Sequence, residues 1–222
     1  RQLGLQALRI QAGGAGHVLV PGHRRHLPPR LAEPAPGDAV AEVQVRHRLR
    51  FSYPDGPRDV ESMAYDPDSG QILLLSKRDQ PPRLYALPLD LALWQHELEA
   101  EFLGEVPGFR PPTRADILRN PRRGLWVSQP TGMDISPDGR QAVVLTYKHA
   151  YLFNRKGPDT WAEALTKYPE TLLLPHPRDR SDFRQREAIC FVNGGKALLI
   201  TSEGKFAAIF RLSRRHLNSY LP

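Results

Sequence analysis

Seven side chains have the types and spacing to do chemistry together. Glu61 and Glu187 each stand two residues before an apolar residue, Met63 and Ile189, in stretches that match one another. Asp59 and Asp134 lie near equivalent strand starts, and Lys77, Tyr147 and Glu203 each follow a run of apolar residues. Carboxylates crowded at one point raise one another's pKa, which suits general acid–base work. Carboxylates from several elements can also supply some of the six to eight oxygens that Ca²⁺ takes. With a lysine and a tyrosine among them, the set reads as a polar funnel for a divalent cation, a phosphate ester or a sugar. The competing reading is structural. Acidic residues at strand starts accept backbone N–H groups and tie one element to the next. Glu61 and Glu187 are the strongest candidates because their positions match.

Other groups are weaker. Asp66-x-Asp68-x-Gly70 resembles the start of a calcium loop, but position 77, where the closing Glu belongs, is Lys77. His17, His23 and His26 are metal ligands by type only. Cys190 is the single cysteine and reads as a packed thiol between Ile189 and Phe191, so a disulfide framework and a cysteine-rich zinc site are excluded. There is no Gly-x-Ser-x-Gly elbow, no phosphate-cradling glycine loop and no dinucleotide fingerprint.

The elements that must position the seven residues follow from a weak repeat. Its first copy reads Met63-Ala-Tyr-Asp-Pro-Asp-Ser-Gly70, then Gln71-Ile-Leu-Leu-Leu75, then Arg83-Leu-Tyr-Ala-Leu87. The second reads Met133-Asp-Ile-Ser-Pro-Asp-Gly139, then Gln141-Ala-Val-Val-Leu145, then Ala150-Tyr-Leu-Phe153. The third reads Ile189-Cys-Phe-Val-Asn-Gly-Gly195, then Lys196-Ala-Leu-Leu-Ile200, then Ala207-Ala-Ile-Phe-Arg-Leu212. Each copy is strand, Gly-containing turn, apolar strand, polar turn, strand. Pro presets φ, Asp or Asn caps the turn, and Gly supplies φ > 0 at its end. The middle strand is apolar on both faces and must be covered on both sides.

Three antiparallel strands repeated with a variable outer connection are the sequence form of a β-propeller blade. The expected fold is all-β: an incomplete propeller of about three recognisable blades plus part of another. A β-sandwich also has short, turn-separated strands, but recurrence of one motif favours the propeller. The copies start 70 and 56 residues apart, more than the roughly 40–50 residues of a lean blade. The surplus falls in outer loops at 107–130 and 157–169, with a short helix expected within 160–167. Fourth strands are expected at 99–106 and 171–174. Alternation of Val43, Val45, Leu49 and Phe51 with polar residues makes 38–56 the end of a preceding blade.

The larger pattern runs Tyr53-Pro-Asp-Gly-Pro-Arg-Asp-Val-Glu61, Leu75-Ser-Lys77, Thr131-Gly-Met-Asp-Ile-Ser-Pro-Asp-Gly139, Leu145-Thr-Tyr147, Arg186-Glu-Ala188 and Thr201-Ser-Glu-Gly204. It resembles a group of largely uncharacterised, usually exported bacterial propeller proteins, similar in style to TolB-like, phytase-like, esterase-like and NHL-type propellers. The resemblance covers about residues 38–213. It implies a periplasmic or extracellular protein whose funnel lies on the propeller axis.

Residues 1–37 differ. Their Arg, Pro, Gly, His and Ala composition reads as an irregular segment, like a GC-rich gene translated out of frame. The chain begins with Arg1, so it reads as processed or as a piece of a longer ring. The net charge is +7, and only six of the 31 basic residues are Lys. The arginines are scattered, with pairs at Arg24-Arg25, Arg122-Arg123 and Arg214-Arg215, and no recognition helix or aromatic platform accompanies them. Nucleic-acid binding is therefore not expected. No stretch approaches membrane-spanning length. Trp94, Trp126 and Trp161 are expected to pack the rim. Two functions remain: a binding or scaffold propeller for a small molecule or protein, or a metal-dependent phosphoester or carboxylic ester hydrolase.

Overall fold

The computed structural model describes residues 16–20, 47–90, 97–174, 185–204 and 207–213. The Pro-Asp-Ser-Gly and Pro-Asp-Gly turns close tight hairpins. Gly139 has φ +65°, the left-handed region that favours glycine, and a Cβ there would have to push aside the Arg155 and Asp68 side-chain ends. The hairpins build three consecutive antiparallel sheets. The first is β3 (Val60–Asp66), β4 (Gln71–Ser76), β5 (Arg83–Pro88) and β7 (Glu101–Glu105). The second is β8 (Pro130–Ile135), β9 (Gln141–Thr146), β10 (His149–Asn154) and β11 (Glu170–Leu173). The third is β12 (Arg186–Val192), β13 (Ala197–Ser202) and β14 (Phe210–Ser213). A smaller sheet precedes them, in which β1 (Gly16–Val20) runs antiparallel and β6 (Leu98–Glu99) parallel to β2 (His47–Ser52).

The first strands of the three blades line up, β3 beside β8 and β8 beside β12. Alternate residues of each middle strand pack against opposite neighbours. Ile72 and Leu74 join Leu49, Phe51 and Tyr85 on one side of the first blade, while Leu73 and Leu75 meet Val144, Phe153 and Trp161 on the other. Val143 and Leu145 of the second blade then meet Leu198 and Ile200 of the third. Each fully buried Leu is worth about 1.5–3 kcal/mol, so three apolar layers hold the arc. The fold is an all-β array of propeller blades, three recognisable and one partial. Among the described residues, no apolar cluster joins the first sheet to the last.

Strand ends shift from the expected ones. The expected strand 99–106 divides, because the Ala100 N–H turns to the Ser52 carbonyl at 2.9 Å and Leu98–Glu99 joins β2. The second outer strand starts one residue earlier than expected, and the last strand begins only at Phe210. The expected helix is present as α2 (Trp161–Leu165), and a helix not anticipated, α1 (Arg114–Arg119), lies in the long outer connection. Trp161 is buried between the first two blades. Trp126 does not pack away and stays 40% exposed. His23, His26, Trp94 and the Arg24-Arg25 and Arg214-Arg215 pairs lie outside the described residues, as does most of 1–37.

Candidate functional site

The three inner strands share one irregularity. Val60 pairs with Ser76 but Ser62 pairs with Leu75; Pro130 pairs with Thr146 but Gly132 with Leu145; Arg186 pairs with Ser202 but Ala188 with Thr201. The extra residue in each bulge is Glu61, Thr131 or Glu187. A bulge re-aims one side chain without breaking the strand. The residues that follow β4, β9 and β13 are Lys77, Tyr147 and Glu203. Backbone bonds fix two of these turns, with the Lys77 N–H donating to Asp59 O and the Glu203 N–H to Gln185 O, both at 2.8 Å.

These positions converge across three blades. Lys77 Nζ donates to Glu61 Oε2 and, at 2.8 Å, to the Tyr147 hydroxyl. The Tyr147 hydroxyl also accepts from Gln185 Nε2 at 3.3 Å and lies close enough to the Glu187 carboxyl to favour its charged form. A continuous polar chain therefore runs Glu61, Lys77, Tyr147, Glu187. Lys77 is only 5% exposed, whereas Glu61 reaches solvent. Burial pushes Glu187 up to about 7, and the charges of Glu61 and Glu203 add to this against the opposing pull of Lys77. Burial alone lowers the Lys77 pKa, but the hydrogen bonds it donates to Glu61 and Tyr147 and the Glu61 charge outweigh it and hold it above its ordinary value.

Two of the seven expected residues stand apart. Asp59 pairs with Arg78 at 2.7 Å; Arg78 donates to Gln129 Oε1 at 3.0 Å and its guanidinium lies 5.6 Å from the Trp126 ring centroid. Asp134 lies further along β8 and accepts the Phe191 N–H at 2.7 Å, so it ties the second blade to the third. Burial raises it to about 6, moderated by the N–H groups of Phe191 and Ile135. Cys190 is a half-buried free thiol, raised by burial and then by the Asp134 charge.

Gln185 and Gln129 were missed by the sequence reading. The repeat carries a signal for them, since Asp59, Gln129 and Gln185 each stand two residues before a bulge residue. Gln185 also accepts from Arg123 Nη1 at 3.1 Å. Among the described residues, no group of three or more His, Cys, Asp or Glu side chains could hold a metal ion. Instead the Lys77 ammonium, bonded to Glu61 and the Tyr147 hydroxyl, puts a positive charge beside the carboxyl groups and repels a dication. The arrangement can hold a proton at Glu187, present acceptors from Glu61 and Glu203, and transmit a change at one blade to the next through Tyr147.

No protein-family model and no curated protein matches the chain. Solved structures similar to it include hydrazine synthase of Kuenenia stuttgartiensis, at 10% identity over 79% of this chain and 38% of that one, with a TM-score of 0.40. They also include the β-propeller domain of Myceliophteria thermophila Cps50 (Swd1), at 13% over 78% and 43%, with a TM-score of 0.38. A third is TolB from Acinetobacter baumannii, at 17% over 71% and 30%, with a TM-score of 0.35. The chain spans less than half the length of each.

Proposed function

We propose that the chain is part of a non-enzymatic binding propeller whose axial mouth takes a small ligand rich in hydroxyl or amine donors. The observation that carries this reading is the Glu61–Lys77–Tyr147–Glu187 chain across three blades. One end is the exposed Glu61 carboxylate, the other is the half-buried Glu187 carboxyl, and the centre is a buried ammonium already satisfied by protein oxygens. The remaining Glu61 oxygen and the exposed Glu203 carboxylate offer acceptors at the rim, which suit a ligand that donates, such as a sugar, a polyol or an amine. Export to the periplasm or the exterior fits the resemblance of residues 38–213 to exported propellers. Ester hydrolysis at a divalent metal is the weaker reading, because the Lys77 ammonium already neutralises Glu61 and stands beside the carboxyl groups that would hold the metal.

The test is a thermal-shift panel of neutral sugars, polyols, amines, inorganic phosphate and CaCl₂. At least one hydroxyl- or amine-bearing compound is expected to raise the melting temperature, with its affinity weakened about tenfold or more in Tyr147→Phe. No shift from any such compound, or a shift indifferent to Tyr147→Phe, would sink the proposal. Calcium-dependent turnover of a phosphate or carboxylic ester would favour the hydrolase.

A further inference from the structure

Beside the mouth, residues 110–129 form a built surface that the ligand reading does not use. α1 is closed at its start by a reciprocal pair: the Thr113 side chain accepts the Asp116 N–H, and Asp116 accepts the Thr113 N–H at 2.9 Å. Asp116 is buried and ion-paired to Lys148 at 2.7 Å, which anchors the helix to the second blade. The 3₁₀ turn Gly124–Trp126 packs so closely on α1 that a Cβ at Gly124 would overlap the Asp116 backbone. The segment is thus held in shape by its own bonds.

What it displays is unusual for a rigid surface. Leu118 is 70% exposed and Leu125 56%, and Ile117 and Trp126 are exposed beside them. Arg114, Arg119, Arg122 and Arg123 are exposed among these residues. Among the described residues none of the four arginines forms an ion pair. The one carboxylate of the segment, Asp116, is turned inward and neutralised. Apolar anchors with Trp and Arg among them are the composition of binding hot spots. Clustered arginines without counter-charges favour an anionic partner.

We propose that residues 110–129 are a docking platform for an acidic protein segment that carries apolar side chains. Its aliphatic or aromatic residues cover Leu118, Leu125 and Trp126, and its carboxylates pair with Arg114, Arg119, Arg122 and Arg123. An anionic membrane is the other partner with this chemistry, and the geometry disfavours it. Interfacial anchoring sinks an apolar face about 5–10 Å into the headgroup region. Trp126 lies against the Arg78 guanidinium, and Arg123 is bonded to Gln185 at the mouth, so both are held down on the blade face. The platform therefore borders the ligand mouth through Gln185, whose amide also reaches Tyr147.

The experiment is a display selection of random 12-residue peptides on the 222-residue chain, with counter-selection on Leu118→Ser/Leu125→Ser. Both positions are exposed, and an unchanged melting temperature checks that the variant folds. Enriched peptides are expected to be acidic and to contain Leu, Phe or Trp. The tightest, once synthesised, is expected to lose at least tenfold in affinity to Arg119→Ala/Arg122→Ala and to weaken as salt rises. Failure to enrich any peptide, enrichment of neutral or basic ones, or affinity indifferent to the arginine substitutions overturns the proposal. So does co-sedimentation of the chain with phosphatidylserine vesicles that the serine variant abolishes, which would assign the surface to a membrane. The ligand mouth is left intact by these substitutions, so a positive thermal shift with a negative selection separates this proposal from the binding function.

Discussion

Glu187 is raised from 4.5 to about 7, so the folded chain keeps a proton there that the unfolded chain releases. Stability from this group is therefore present below about pH 4.5 and is lost as the pH rises to about 7. Asp134 has the same sign between 3.8 and about 6. His149 has the opposite sign: burial, with Lys148 and Arg110 adding, lowers it from 6.5 to about 4, so stability is gained as pH rises through that window. Comparing Glu187→Gln with the parent cancels the other two. The variant is expected to gain on the parent as pH rises from about 5 to about 8, ending ahead by on the order of 1–2 kcal/mol after allowance for solvent screening. Urea unfolding midpoints across that range measure it, and parallel curves would refute it. Much at this scale was legible in the sequence. Glu61 and Glu187 matched because the repeat sets them at one offset. Asp134 belongs to another role because, three residues beyond the bulge residue Thr131, its carboxylate meets the Phe191 N–H of the adjacent blade.

At the scale of elements, the hairpins were legible because Pro, Asp and Gly fix backbone angles locally. The bulges were not, since one extra residue shows only when the partner strand is aligned beside it. α1 escaped for a different reason. Six residues give little periodicity, and its one sequence signal was the Thr113–Asp116 spacing of a capping pair. The ties between elements make a sharp prediction at Asp134. Asp134→Ala leaves the Phe191 N–H without its carboxylate and is expected to cost about 1–3 kcal/mol. Asp134→Asn keeps an acceptor and is expected to stay within about 1 kcal/mol of the parent. Hydrogen exchange at Phe191 reads this directly, faster in the alanine variant and little changed in the asparagine one. Equal protection in both would show that β12 does not depend on this contact.

For the whole molecule, stability is layered. Leu75 belongs to the apolar layer between the first and second blades, and Leu145 to the layer between the second and third. Each is fully buried. Leu75→Ala and Leu145→Ala are each expected to cost about 2–5 kcal/mol, and their sum is expected to hold within about 0.5 kcal/mol in the double variant, because the side chains share no layer. Denaturant melts of the three variants check this, and strong coupling would mean that the blades do not act as neighbours in a stack. The blade order was legible from the repeat, whereas the partial first sheet depends on long-range pairing of β1 and β2 that no local pattern announces. The matched bulges separate two kinds of selection. Residues in register must fill the layers and so are restricted in size and polarity, but positions 61 and 187 sit outside the pairing ladder. The side chains at these two positions can therefore change while the core stays the same, altering the polar chain at the mouth without refolding the blade.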